Sequence, residues 1–170
     1  MTSKRLDALA RSELDPLDAR AARATALDAL ARRDHAAADL HRKLLDKGYD
    51  AQLVGAVIER LWAEKLLDDR RYVGSFIDYH AARGHGPIRV RADLRKIGLP
   101  DDLIEEGVEG YGEWDARLRE ARQKKFGAVL PTHYADRQRQ SRFLSYRGFT
   151  SAQIRIAIGI DSDIDVDTQI

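Results

Sequence analysis

The chain has no cysteine, so neither disulfide bridges nor thiolate chemistry is open to it. No apolar run approaches the roughly 20 residues that a bilayer-spanning helix needs. The opening residues, MTSKRLDALARSELDPLDARAAR, also lack the apolar segment of a signal peptide. A cytoplasmic protein without membrane contact is expected. β-Branched residues are few, the four prolines lie far apart, and no stretch alternates apolar and polar residues long enough to argue for a sheet. With alanine abundant, an all-α fold follows. Charge of a single sign is lacking too: 29 Lys+Arg stand against 28 Asp+Glu, a formal +1 over 170 residues. That sum says little about partners until it is divided by region.

What the chain does have is a repeat. The segments LHRKLLDKGYDAQLVGAVI, VRADLRKIGLPDDLIEEGV and QSRFLSYRGFTSAQIRIAI carry Gly48, Gly98 and Gly148, fifty residues apart. Leu44, Leu94 and Leu144 each precede the glycine by four positions, and Tyr49, Leu99 and Phe149 follow it directly. A glycine at the C′ position of a helix takes the left-handed conformation that costs other residues a Cβ clash. The residues on either side then occupy C3 and C″, whose side chains meet in a Schellman turn. The spacing therefore predicts three structural turns built from Leu44–Gly48–Tyr49, Leu94–Gly98–Leu99 and Leu144–Gly148–Phe149. Asp50 suits the cap of the following helix, Thr150 with Gln153 has capping-box spacing, and Asp101 and Asp102 fit a helix start after Pro100.

A further helix candidate precedes each turn pair. One opens at Asp15-Pro16, one begins with Asp68 and Asp69 and ends before Gly84, and one runs through EWDARLREARQKKF to Gly127. Each unit thus reads as three helices, and the chain as three tandem three-helix repeats in an elongated, curved array. The expected division is a mobile segment over 1–14, repeats over 15–66, 67–112 and 113–160, and a mobile acidic tail over 161–170.

Charge is distributed unevenly over these units. Residues 101–115 hold seven acids and no base, residues 83–97 five bases and one acid, and residues 117–147 nine bases and two acids. Density of this kind suits phosphate contact, with neighbouring aromatic residues able to stack on unpaired bases. The alternative is a solvated face whose arginines pair with the acids of 101–115. The candidates for DNA-phosphate or filament contact are Arg89, Arg91, Arg95, Lys96, Arg137, Arg139, Arg142 and Arg147, with Lys124 and Lys125. Arg91 and Arg95 share a helix face, as do Arg139 and Arg142. A helix-turn-helix reading of sequence in a major groove is disfavoured, because one candidate recognition segment, DDLIEEGVEGY, is acidic.

Catalytic and metal motifs are missing. His35 and His41 stand six apart, and His80 and His85 five apart, neither being the i, i+4 pair of a helical metal site. Surface positions are expected for these and for His133. RGHGP lacks the lysine of a phosphate loop, and DSDIDVD has Val166 where a calcium loop needs glycine. No catalytic residue, metal or cofactor is expected. Beside a regulatory reading stand two others, a general single-stranded DNA-binding repeat protein and a protein-only adaptor.

In order along the chain, LLDDRRYV, GPIRVRADLRKIGL and FLSYRGF give it a resemblance to the RecX family, bacterial regulators of the RecA recombinase, from about Thr25 to Ile158. The resemblance implies three tandem three-helix repeats without catalytic residues. It also implies a monomer that binds in the groove of the RecA–single-stranded DNA filament, with a part in recombination, DNA repair and the SOS response. Its effects would be blocked filament growth or disassembly and lowered ATP hydrolysis, strand exchange and co-protease activity. The chain departs from the family where a helix of the first repeat usually opens with serine and, three residues on, glutamate; Ala36 and Asp39 stand there. Asp34 is the expected substitute cap.

Overall fold

The computed structural model describes residues 16–160, so the segment 1–14 and the tail 161–170 lie outside the described residues. Among those described the chain is wholly helical, with α1 (Pro16–Arg32), α2 (Ala37–Asp46), α3 (Ala51–Ala63), α4 (Asp69–Ala82), α5 (Pro87–Ile97), α6 (Asp101–Gly110), α7 (Trp114–Phe126), α8 (Tyr134–Tyr146) and α9 (Ser151–Ala157). None of these helices is long and apolar enough to cross a membrane.

The turns after α2, α5 and α8 share one geometry. Gly48, Gly98 and Gly148 have φ of 90°, 98° and 88°. The following residue donates its N–H back to Leu44, Leu94 or Leu144, at 3.4, 3.5 and 3.2 Å. All three leucines are fully buried, so each turn fixes a helix end and a core side chain together. The helices that follow are capped from within in two cases. Asp50 accepts from the N–H groups of Gln52 and Leu53, and Thr150 and Gln153 form a reciprocal capping box.

The cap of α2 comes from elsewhere. Ala36 offers no side-chain bond, and Asp34, the expected substitute, pairs with Arg71 at 3.3 Å instead. The Ala37 N–H donates to Asp69 Oδ1 at 2.7 Å. The first turn of α4 therefore satisfies a donor that the family's serine would otherwise take.

The chain divides into two compact units, Met1–Tyr72 and Val73–Ile170. In the first, Ala22, Ala26 and Ala29 form the buried stripe of α1, and their small side chains let α1 lie close to Leu40 and Leu44 of α2 and to Val54 and Leu61 of α3. Thr25 and Tyr49 are joined through their hydroxyls at 3.0 Å. His35, expected at the surface, is 2% exposed, with Nδ1 2.9 Å from Asp39. It fills a core position, which its spacing from His41 did not reveal.

In the second unit, buried residues of α4 (Val73, Ile77, Ala81), α5 (Val90, Leu94) and α6 (Ile104, Val108) form one set. Leu118, Leu144, Phe149, Ile154 and Ile158 form another. The α4–α5 turn meets the α8–α9 turn through backbone alone: Gly86 N–H donates to the Arg147 carbonyl at 2.8 Å and Ile88 N–H to the Gly148 carbonyl at 2.9 Å. A side chain on Gly86 would run into the Gly148 carbonyl, and one on Gly148 would meet Arg89. The positive end of α5 thus faces the negative end of α8.

Candidate nucleic-acid interface

The junction of those turns forms one side of a cleft of about 590 Å3, completed by α7 and α8. Helix α7 presents Arg117, Glu120, Ala121 and Lys124 to it, positions that share a helix face. The turn adds Arg83 and His85, and α8 adds Phe143 and Arg147. Glu120 is the one carboxylate among these residues. Arg147 donates to the Arg83 carbonyl at 2.9 Å and its guanidinium lies 5.1 Å from the Phe143 ring. Arg83 stacks over Tyr79 at 3.8 Å. Arg117 is held by Tyr111, Glu113 and Glu120, and the bonds to Tyr111 and Glu120 push its pKa further up.

A second, open depression lies between α7 and α8, lined by Lys125, Phe126, Arg139 and again Phe143. Phe126 and Phe143 meet edge to face at 5.3 Å, and the Arg139 guanidinium sits 5.6 Å from the Phe126 ring. Phe143 therefore borders basic side chains in both depressions. An aromatic ring between cations is the arrangement that holds an unpaired base and its flanking phosphates.

Of the sequence candidates, Lys124, Lys125, Arg139 and Arg147 converge on this pair of depressions. Arg142 is exposed on α8 directly before Phe143. Arg139 also pairs with Asp136 at 3.1 Å. Arg137 points elsewhere, donating to the Pro131 carbonyl. The candidates on α5 are engaged with acids. Arg91 meets Glu105 at 2.7 Å, Arg95 meets Asp101 at 2.7 Å and Glu105 at 3.0 Å, and Lys96 meets Asp93 at 3.4 Å. Arg89 is 3.7 Å from Asp93. On α5 the charge reading therefore resolves into ion pairs with the 101–115 acids, since α6 packs directly against it.

Sequence reasoning counted Arg83 and Arg117 among the bases but did not single them out, and it did not separate Phe126 and Phe143 from other aromatic residues. It also counted Arg122 as part of the basic face. Arg122 is buried and ties the carbonyls of Ala128 and Val129 to Gln140, a structural role.

His80 and His85 are partly buried, not surface residues. Their Nδ1 atoms lie 3.0 Å apart, and Phe76 stacks on His80 at 4.1 Å. Burial first, joined for His85 by Arg89, His80 and Arg147, holds both below the ordinary histidine range. Among the described residues no group of three or more His, Asp or Glu is placed to hold a metal ion.

Fold and site together define a tandem array of three-helix modules with an aromatic-lined basic surface on its second unit. Comparison with known proteins gives this class a family. Residues 22–61, 68–108 and 113–158 match the first, second and third three-helix domains of RecX. The chain is 44% identical over 130 residues to the regulatory protein RecX of Pseudomonas savastanoi pv. phaseolicola, covering 76% of this chain and 84% of that protein. It is 40% identical over 145 residues to that of Pseudomonas fluorescens SBW25, covering 84% and 94%. The crystal structure of RecX from Lactobacillus salivarius superposes with a TM-score of 0.71 at 20% identity, covering 85% of this chain and 97% of that one. A second structure, of regulatory protein RecX, gives 0.69 at 20%, covering 94% and 78%. The chain belongs to the RecX family, whose named relatives are regulatory proteins.

Proposed function

We propose that this chain regulates RecA recombinase filaments in the bacterial cytoplasm without chemistry of its own. It lies as a monomer in the groove of the RecA–single-stranded DNA filament, limits its growth, and lowers ATP hydrolysis, strand exchange and co-protease activity. Through that action it takes part in recombination, DNA repair and the SOS response. Family membership supports the regulatory role. The observation that carries the DNA contact is the Phe126–Phe143 pair bordered by Lys124, Lys125, Arg139 and Arg147.

In this reading the phosphates of the filament's strand meet Lys124, Lys125, Arg139, Arg142 and Arg147, and Phe143 offers a face to a base. Each phosphate contact on a single strand contributes about −0.7 to the slope of log affinity against log salt. Repeats that touch successive recombinase subunits add their affinities through effective concentration. Arg91 and Arg95, held by Glu105 and Asp101, serve the fold.

The test is a paired substitution. Arg139→Glu with Arg142→Glu is expected to weaken filament binding and flatten its salt dependence while helical content stays unchanged. Arg91→Gln with Arg95→Gln is expected to leave binding intact. Undiminished binding by a folded Arg139→Glu, Arg142→Glu protein overturns the DNA-contact assignment. The aromatic pair also favours a second reading, a general binder of single strands. That reading requires naked DNA to be held as tightly as recombinase-coated DNA.

A further inference from the structure

Arg137, the α8 candidate turned away from the two depressions, lines a separate groove of about 230 Å3 between α8 and α9. Its lining has two characters. Arg137 and Arg155 bring guanidinium groups and no carboxylate accompanies them, while Ile154, Ile158 and the ring of Tyr134 bring apolar surface. Ser141 and Ser145 add hydroxyls along the same stripe of α8. An occupant suited to such a groove carries carboxylates and aliphatic side chains on one narrow backbone.

The ten residues after Ile160 have that composition. In DSDIDVDTQI, Asp163, Asp165 and Asp167 alternate with Ile164 and Val166. In an extended chain this alternation sends carboxylates to one side and Ile164 and Val166 to the other. Ile160 itself lines the groove, packs against the cluster of Leu144 and Ile158, and donates its N–H to the Arg155 carbonyl at 2.9 Å. The segment is thus tethered at the groove's edge. Ten extended residues reach about 33 Å, against about 20 Å for the 13-residue α8, so length is sufficient.

We propose that residues 161–170 dock along this α8–α9 groove, with Ile164 and Val166 on Ile154 and Ile158 and the aspartates toward Arg137 and Arg155. The contact is reversible, because exposed ion pairs are individually weak and screened by salt, and the tether supplies the effective concentration that makes it form. Docked, the segment covers an anion-attracting surface; that its release then strengthens filament binding rests on the function proposed above.

The absence of cysteine makes a direct test clean. Thr168→Cys carrying a nitroxide label, in the full chain, is read by the loss of amide NMR signals. At low salt, Ser141, Ser145 and Ser151 are expected to lose most of their intensity. Reduction of the label, about 0.5 M NaCl, or Arg137→Gln with Arg155→Gln is expected to restore it. Broadening confined to the residues next to Ile160, or falling instead on Lys124, Lys125 and Arg142, overturns the proposal. So does broadening that appears only between labelled and unlabelled molecules, which makes the occupant a second copy. None of these readouts involves DNA, so they stand apart from the filament reading. If the segment docks but its deletion leaves filament binding unchanged, the regulatory consequence fails and the contact survives.

Discussion

Asp69 is the residue that joins the cap of α2 to the start of α4. Its carboxylate takes the Ala37 N–H at 2.7 Å, and burial, against that bond, pushes its pKa up. Asp69→Asn keeps an acceptor and removes the buried charge, so its unfolding midpoint in urea is expected within about 0.5 kcal/mol of the parent. Asp69→Ala leaves the N–H unpaired and is expected to cost about 1–2 kcal/mol. Equal losses for the two would show that the bond is not what matters. This cap was illegible in the sequence because donor and acceptor stand 32 positions apart, whereas Asp50 and Thr150 were legible because a side-chain cap reaches only two or three residues along the chain.

Two other residue-scale features set a pH dependence. At Asp39 burial works to raise the pKa, but the bonds from His35 and Arg42 outweigh it and leave the carboxyl below its ordinary 3.8. Its contribution is therefore complete above that value and fades only in stronger acid. His80 and His85 lie below the ordinary 6.5, so the unfolded chain takes up protons first. Stability of the second unit is expected to be full above about pH 6.5 and to fall as the solution is acidified toward about pH 5. His80→Gln with His85→Gln should flatten that part of a thermal-midpoint profile. A profile equally steep in the double variant would contradict the assignment.

At the scale of elements, the three glycine turns were readable because their requirements are local. A left-handed residue, a leucine four positions before it and an apolar residue after it specify the Schellman geometry wherever they occur. The docking of the α4–α5 turn on the α8–α9 turn was not readable, since Gly86 needs its bare Cα only because the Gly148 carbonyl is there. Gly86→Ala is expected to lower stability by more than about 2 kcal/mol through steric conflict and loss of the two junction hydrogen bonds. Gly112→Ala, at an open position, is expected to change it by less than about 0.5 kcal/mol. Calorimetry of the two variants checks the contrast. The α5 arginines teach the same lesson in charge. Arg91 and Arg95 share a face in sequence, yet α6 lays Glu105 and Asp101 against that face, and spacing on one helix carries no information about what packs across from it.

At the scale of the molecule, balanced charge hides a segregated surface. The 101–115 acids neutralise α5, while α7 and α8 keep Lys124, Lys125 and Arg142 exposed around the Phe126–Phe143 pair. The second and third repeats meet through backbone hydrogen bonds at Gly86 and Ile88, so residues from both line one cleft. A regulator built this way acts by occupying a filament rather than by turning over a substrate. The most direct test is recombinase ATP hydrolysis on preformed single-stranded DNA filaments, with this protein added well below the concentration of recombinase. Hydrolysis that falls at those amounts is the predicted result. Hydrolysis that is unaffected, or that falls only when the protein is in excess over DNA binding sites, contradicts the filament as its target.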